Sequence, residues 1–246
     1  MRSMYALGWV VPACIPASPS PSLGCLEGQV CVLAGTGELG FNGDDFPAEK
    51  TRLASPSAAH QGPEGHLWIV DYSNMRIRTV GADGIVRTVV GNGFHAYAEL
   101  GSLAVDTPLE NPVDMDWHPN GDLCLLPQHE GRVVCIDEEQ RVQPFAGTGA
   151  IADSGDGGAA LDAEMGFGGG MVFAEDGTLF ISDSSHSRIR RVAPDGSIDT
   201  VLGTGEGTGG EMGFGPDTPI RFPERLAHDP DENRVVVADT HNHRVV

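Results

Sequence analysis

His60, Asp114, Asp116, His118, Glu224, Arg225 and His228 are the residues whose types could do chemistry if the fold gathers them. Imidazoles and carboxylates brought to one point can hold a divalent metal, which polarises a carbonyl or activates water. His241 and His243 are secondary members of the set. A second charged pattern repeats along the chain as Asp71, Asn74, Arg76, then Asp183, His186, Arg188, then Asp239, Asn242, Arg244. An Asp before a turn accepts from backbone N–H groups, and an Arg two residues past the Asn can bridge neighbouring strands. This second set reads as turn structure, and no catalytic residue is assigned.

The motifs that would mark other chemistries are missing. No nucleophile elbow, paired-thiol redox motif or phosphate loop occurs. Asp153-x-x-Asp156-Gly157 and Asn42-Gly43-Asp44-Asp45 lack the alternating ligands and closing Glu of a calcium loop, and read as turns. The glycines of Ala34-Gly35-Thr36-Gly37 are followed by no helix that could receive a pyrophosphate.

The elements that must position these residues come from an internal repeat. Ala-Gly-Thr-Gly at 34–37, Val-Gly-Asn-Gly at 90–93, Ala-Gly-Thr-Gly at 146–149 and Leu-Gly-Thr-Gly at 202–205 are spaced by 56 residues. The unit from Pro56 predicts strands at 56–61, 66–71, 75–80 and 85–90, separated by Gly-, Pro-, Asn- and Asp-rich turns. One four-stranded meander cannot bury both its faces. Radial stacking of such units buries them, so the fold expected is all-β, a β-propeller of four-stranded antiparallel blades with four blades present. The innermost strands then line a central channel, where His60, Asp114, Asp116, His118, Glu224 and His228 are the candidate metal ligands, while the third blade offers only Gly168, Gly169 and Gly170. The stretch 29–34 is expected to be an orphan outermost strand equivalent to 85–90.

Residues 23–246 resemble the NHL-repeat family of β-propellers. The likeness lies in Gly-x-Leu-x-Ile-x-Asp, an Asn or His three positions after the Asp, then Arg-Ile or Arg-Val, and an Asp-Gly turn. The second unit departs from it, with Pro127 for the Asp and Glu130 for the Asn, so its hairpin must be stabilised differently. The resemblance implies six blades, which makes this chain a fragment of a longer propeller, incomplete at its C-terminus. It also implies two activities: a binding scaffold, or, as in the peptidyl-hydroxyglycine lyases and gluconolactonase-like propellers of this fold class, a metal-dependent lyase or lactone hydrolase working from the channel. RNA binding, known for NHL domains fused to tripartite-motif proteins, needs a basic face.

Composition argues against that face. Lys and Arg number 15 against 35 Asp and Glu, a net charge of −20 over 246 residues. Such a chain lacks the cationic footprint that a phosphate backbone requires, so no nucleic-acid partner is expected. No stretch reaches the roughly 18–20 apolar residues of a membrane-spanning helix. Residues 1–22 resemble a bacterial lipoprotein export leader, with an apolar stretch Met4–Val11, Cys14 as the lipidation site and a Pro/Ser spacer. The expected location is therefore outside the cytoplasm: periplasmic, anchored at the outer membrane through lipid, or extracellular. Cys25 and Cys31 are close enough in sequence to close a small disulfide loop. Cys124 and Cys135 fall on the two strands of one hairpin, in a register expected to set Cys124 against Val134, and the sequence leaves open a bridge or two buried thiols. The reading is a non-catalytic exported scaffold that presents long Gly-rich inserts to a protein, peptide or glycan partner.

Overall fold

The computed structural model describes residues 30–207, 213 and 215–246. The leader 1–22 with Cys14, and Cys25, lie outside the described residues; Cys31 is disulfide-bonded.

Four antiparallel sheets are arranged as a four-bladed β-propeller. The first blade runs from the inner strand Ala58–Gln61 through Leu67–Asp71 and Arg76–Val80 to Ile85–Val90. The second repeats this with Pro112–Trp117, Leu123–Pro127, Val133–Ile136 and Val142–Ala146. The third uses Gly168–Phe173, Leu179–Asp183, Arg188–Val192 and Ser197–Leu202, and the fourth Pro223–Asp229, Arg234–Asp239 and Arg244–Val245. Among the described residues only short 3-10 segments accompany the strands. Middle strands such as Leu-Cys-Leu-Leu-Pro are buried throughout, because each is covered by a blade on either side.

The glycine signature marks a close approach. At Gly91, Gly147 and Gly203, φ is +94°, +86° and +99°, and a Cβ would lie 2.3, 2.3 and 2.2 Å from the carbonyl oxygens of Met75, Gly131 and Ser187. Only glycine fits where the outer strand leaves its blade beneath the neighbouring turn.

Each insert that follows is a built element. Parallel bridges Leu39↔Leu53, His95↔Leu109 and Ile151↔Met165 close the three inserts at equivalent positions. Phe46–Pro47 then pairs with the outer strand of the first blade, Gly158–Ala159 with that of the third, and Leu103 bridges Arg141 in the second. Each insert thus covers the exposed edge of the blade it precedes, which blunts edge-to-edge association. The expected orphan strand at 29–34 is corrected: Gln29 lies outside the described residues, and 30–34 are not strand.

The cysteine register is also corrected. Cys124 stands opposite Cys135, flanked by Leu123↔Ile136 and Leu125↔Val134, and the two form a disulfide across the pair. The first blade has the same register, with Trp68 opposite Thr79. The closed loop is short, so chain entropy assigns the bridge about 2–3 kcal/mol. Cys124→Ala with Cys135→Ala is expected to lower the thermal midpoint by roughly 5–10 °C, read by calorimetry; an unchanged midpoint would show that the bridge contributes nothing.

Candidate functional site

The inner strands are too close for a wide channel. A Cβ on Gly168 would lie 2.7 Å from the Leu126 side chain, and one on Gly170 would lie 2.7 Å from the Glu224 carbonyl oxygen. The third inner strand fits between the second and fourth because it carries no side chains there. Three of the four inner strands bend as they enter this space: pairing slips between Pro112 and Asp114, between Gly168 and Met171, and between Pro223 and Leu226. Such bulges re-aim side chains, and here they turn Asp114 and Arg225 inward.

Four blades meet at the Asp114 carboxylate. Oδ1 lies 3.1 Å from His60 Nε2 of the first blade and accepts from Met115 N at 3.1 Å. Oδ2 accepts from Met171 N of the third blade at 3.1 Å and lies 3.2 Å from Arg225 Nη1 of the fourth. Arg225 also donates to the carbonyls of Val113 at 3.2 Å and Ser57 at 2.8 Å. A cleft of about 440 Å³ opens beside this junction, lined by His60, Asp114, Asp116, Met171 and Arg225 among others. Asp116 accepts from Trp117 N at 2.8 Å and Phe173 N at 2.7 Å, and burial pushes its carboxyl up.

The other candidate ligands are elsewhere. His118 sits between Phe145 and Phe173, with ring centroids 5.8 and 5.2 Å away. Glu224 faces the opposite end of the channel, near Ser184 and Phe222, with Thr240 Oγ1 3.4 Å from its carboxylate. His228 lies on an exposed hairpin beside Asn233 at 3.4 Å, and His241 stacks on Phe222. Among the described residues no three His, Cys, Asp or Glu side chains come together as a metal site. The cation facing Asp114 is the Arg225 guanidinium.

The repeated Asp ties each blade to the chain that enters it. Asp71 accepts from Ala54 N at 2.7 Å and Asn74 Nδ2 at 2.8 Å; Asp183 accepts from Gly166 N at 3.1 Å and contacts His186 Nδ1 at 3.1 Å. Asp239 accepts from Arg221 N at 2.7 Å, from Asn242 Nδ2 and, at 2.7 Å, from Arg244 Nε. The Arg of the pattern bridges neighbouring strands in the fourth blade, where Arg244 bonds Asp239, whereas in the first and third it reaches toward the inserts: Arg76 donates to Asn92 O at 2.8 Å, and Arg188 pairs with Asp153. The second blade replaces the missing Asp with two glutamates. Glu110 accepts from His129 N at 2.8 Å and lies 2.8 Å from His95 Nε2, while buried Glu130 accepts from Ala98 N at 3.2 Å and pairs with Arg132.

Sequence patterning missed Arg78 and Arg190, both wholly buried. Arg78 bonds Gly43 O and Asp44 Oδ1, each at 3.0 Å, and lies 3.4 Å from Asp71. Arg190 lies 2.8 Å from Asp156 and donates to Ser154 O at 3.2 Å. The acidic loops that superficially resembled calcium ligands are therefore arginine clamps that hold the inserts. The signal was present in the repeat, where Arg78 with Asp44 and Arg190 with Asp156 recur together and Val134 with Leu100 replace both at once.

Buried and exposed carboxylates predict opposite pH effects. Burial pushes Asp71, Asp116, Asp183 and Glu130 up. The folded state then holds protons that the unfolded chain has released, so these groups add stability as pH falls through their folded values. Exposed Asp83 is held down at about 2 by the Arg87 side chain, and backbone N–H groups lower Asp137 and Asp176. That contribution is present above the unfolded value of 3.8 and lost as pH drops toward the folded one. The thermal midpoint is expected to rise as pH falls from neutrality through the folded values of the buried groups, and to fall again below the unfolded value of 3.8 as the exposed groups are protonated; a steady fall from neutral pH would contradict it.

A model of the NHL repeat matches residues 221–246. The chain is 26% identical to teneurin-m of Drosophila melanogaster, over 80% of this chain and 7% of that protein. It is 24% identical to NHL repeat-containing protein 2 of Bos taurus, over 67% of this chain and 24% of that one. An auxiliary nutrient binding protein from Bacteroides ovatus superposes with a TM-score of 0.57 at 17% identity, covering 79% of this chain and 48% of that chain. The likeness to that structure is one of fold, and the chain spans less than half its length and smaller shares of the two sequence relatives.

Proposed function

We propose that this NHL-repeat β-propeller is an exported, non-catalytic scaffold that binds a protein or peptide through its insert-bearing face. One observation carries the reading: the exposed large apolar side chains are concentrated on the inserts, among them Leu39, Phe41, Phe94, Tyr97, Ile151 and Phe167. Exposed apolar groups on pre-ordered loops favour a polypeptide partner over a glycan. The Arg78 and Arg190 clamps hold the first and third of those loops before binding, and Glu130 with Arg132 holds the second at Ala98, which lowers the ordering cost. The buried Cys124–Cys135 disulfide supports an oxidising compartment. The alternative, a metal-dependent lyase or lactone hydrolase in the channel, needs donors free to ligate, whereas Asp114 and His60 are engaged with each other and Arg225.

Peptides selected from a random display library against the folded protein provide the probe. Phe94→Ser with Ile151→Ser is expected to weaken the selected peptides by about tenfold or more, equivalent to roughly 1.4 kcal/mol, while Asp116→Asn leaves them unchanged. Selected binders indifferent to the insert substitutions would overturn the loop-face reading. Stoichiometric metal in purified protein, lost on His60→Ala, would move the assignment to the channel enzyme.

A further inference from the structure

The wedges between successive blades are built from equivalent residues, so one can be compared with the next. Between the second and third blades the space is filled by three rings: His118, Phe145 and Phe173 pack with centroids 5.2 to 5.8 Å apart. One repeat earlier, between the first and second blades, Phe173 becomes Trp117, but His118 becomes Gly62 and Phe145 becomes Val89. Phe145 and Val89 are matching bulge residues. Pairing runs from Val133↔Ala146 to Val134↔Pro144 around Phe145, and from Ile77↔Val90 to Arg78↔Thr88 around Val89, so both leave the ladder. Trp68, which stands where the next wedge has Cys124, takes the room over Gly62, and the smaller Val89 leaves a cleft of about 480 Å³ against Trp68 and Trp117, whose rings meet edge to face at 5.3 Å.

Gly62 is part of this construction. Its backbone is extended, so its lack of a side chain answers to space: a Cβ would lie 2.5 Å from the Trp68 ring and 2.6 Å from that of Trp117. The acidic rim is also particular to this wedge. Asp122, Asp137 and Glu138 line it, and their equivalents one repeat later are Thr178, Ala193 and Pro194. No Lys, Arg or His lines the cleft.

We propose that this wedge is a binding site for a small organic cation bearing an ammonium group. Indole faces attract cations through the ring quadrupole, and most strongly when water is excluded. Asp122 and Glu138, with Asp137 beside Arg141 at the rim, set the sign of the charge, and the chain's net −20 adds long-range attraction. The volume falls within the usual range for small-ligand sites, roughly 300–1,000 Å³. The cleft is lined by the Asn120–Asp122 and Asp137–Gln140 turns, at the opposite blade ends from the Gln128–Gly131 turn, so this site is independent of the insert-face reading.

The test is a tryptophan-fluorescence titration of the intact protein with choline and with its uncharged isostere 3,3-dimethylbutan-1-ol. Trp68 and Trp117 are two of the chain's three tryptophans, so occupancy changes the signal directly. Choline is expected to give a saturable change and the isostere to bind about tenfold more weakly or worse, as loss of a desolvated cation–π contact implies. Val89→Phe, which installs the ring found in the next wedge, is expected to abolish binding with an unchanged circular dichroism spectrum. Asp122→Asn with Glu138→Gln, both at exposed turns, is expected to weaken choline severalfold and to flatten its salt dependence. The proposal fails if choline produces no saturable change, if the isostere binds equally well, or if both variants bind like the parent.

Discussion

Arg78→Ala is expected to lower stability by about 3–5 kcal/mol, the cost of breaking a buried ion pair by removing one partner. The substitution leaves Asp71 buried without its guanidinium, opens a side-chain-sized void, and frees Asp44 and the Gly43 carbonyl. Asp44 also accepts from the backbone and hydroxyl of Thr88 on the outer strand, so the insert and the blade edge loosen together. Phe41 loses part of its cationic seat, since its ring lies 3.9 Å from Arg76 and 5.0 Å from Arg78. Arg78→Lys should recover only a fraction, because a point charge cannot replace the planar fork. The second blade supplies the decisive control. Val134, Leu100 and Pro127 occupy the positions of Arg78, Asp44 and Asp71 there, so Arg78→Val with Asp44→Leu, which relieves Asp44 but leaves Asp71 buried without a cation, should recover only a small part of the loss. Urea unfolding of the three variants measures this. A single-variant loss below about 1 kcal/mol would show that the clamp is solvent-screened and does not hold the insert.

Why these clamps escaped sequence reasoning is a matter of pattern. Arg76 and Arg78 lie two apart in the same strand, and period-two reading assigns them one face and one fate. They do share a face, both lying over the Phe41 ring, but Arg76 at the strand's start stays part-exposed while Arg78, two residues further in, is sealed under Gly43 and Asp44. The blade order and the strand positions were legible because the 56-residue step repeats apolar runs between glycine turns, and those features depend on local geometry alone. The cysteine register was not: the expected pairing set Cys124 against Val134, one residue off the observed Cys124↔Cys135 pair, which matches Trp68 opposite Thr79 one repeat earlier. The channel was the hardest part. Its chemistry depends on residues that do not repeat, and on inner-strand bulges that decide which of Glu224 and Arg225 points to Asp114. Spacing selected His118 and His228 as readily as His60, yet packing on Phe173 removed the first and an exposed hairpin the second.

Asp114→Ala tests whether that junction holds the ring together. Its side chain is 5% exposed, against 32% for His60 and 41% for Arg225, so the partners regain some hydration when it is lost and the expected cost is about 2–4 kcal/mol, below that of a fully sealed pair. The loss is specific in space. Met115 and Met171 lose the acceptor for their N–H groups, and Arg225 keeps the carbonyls of Ser57 and Val113 without the carboxylate that fixed it between them. The fourth blade's inner strand should therefore loosen first. Amide exchange in Pro223–Asp229 is expected to accelerate while Ile85–Val90, at the far edge of the first blade, keeps its protection. Asp114→Asn, which retains the shape and one acceptor, should recover part of the stability and most of the protection. Equal acceleration in both strands would mean that the substitution lowers global stability only, and that Asp114 is one buried acceptor among others instead of the point where four blades are joined.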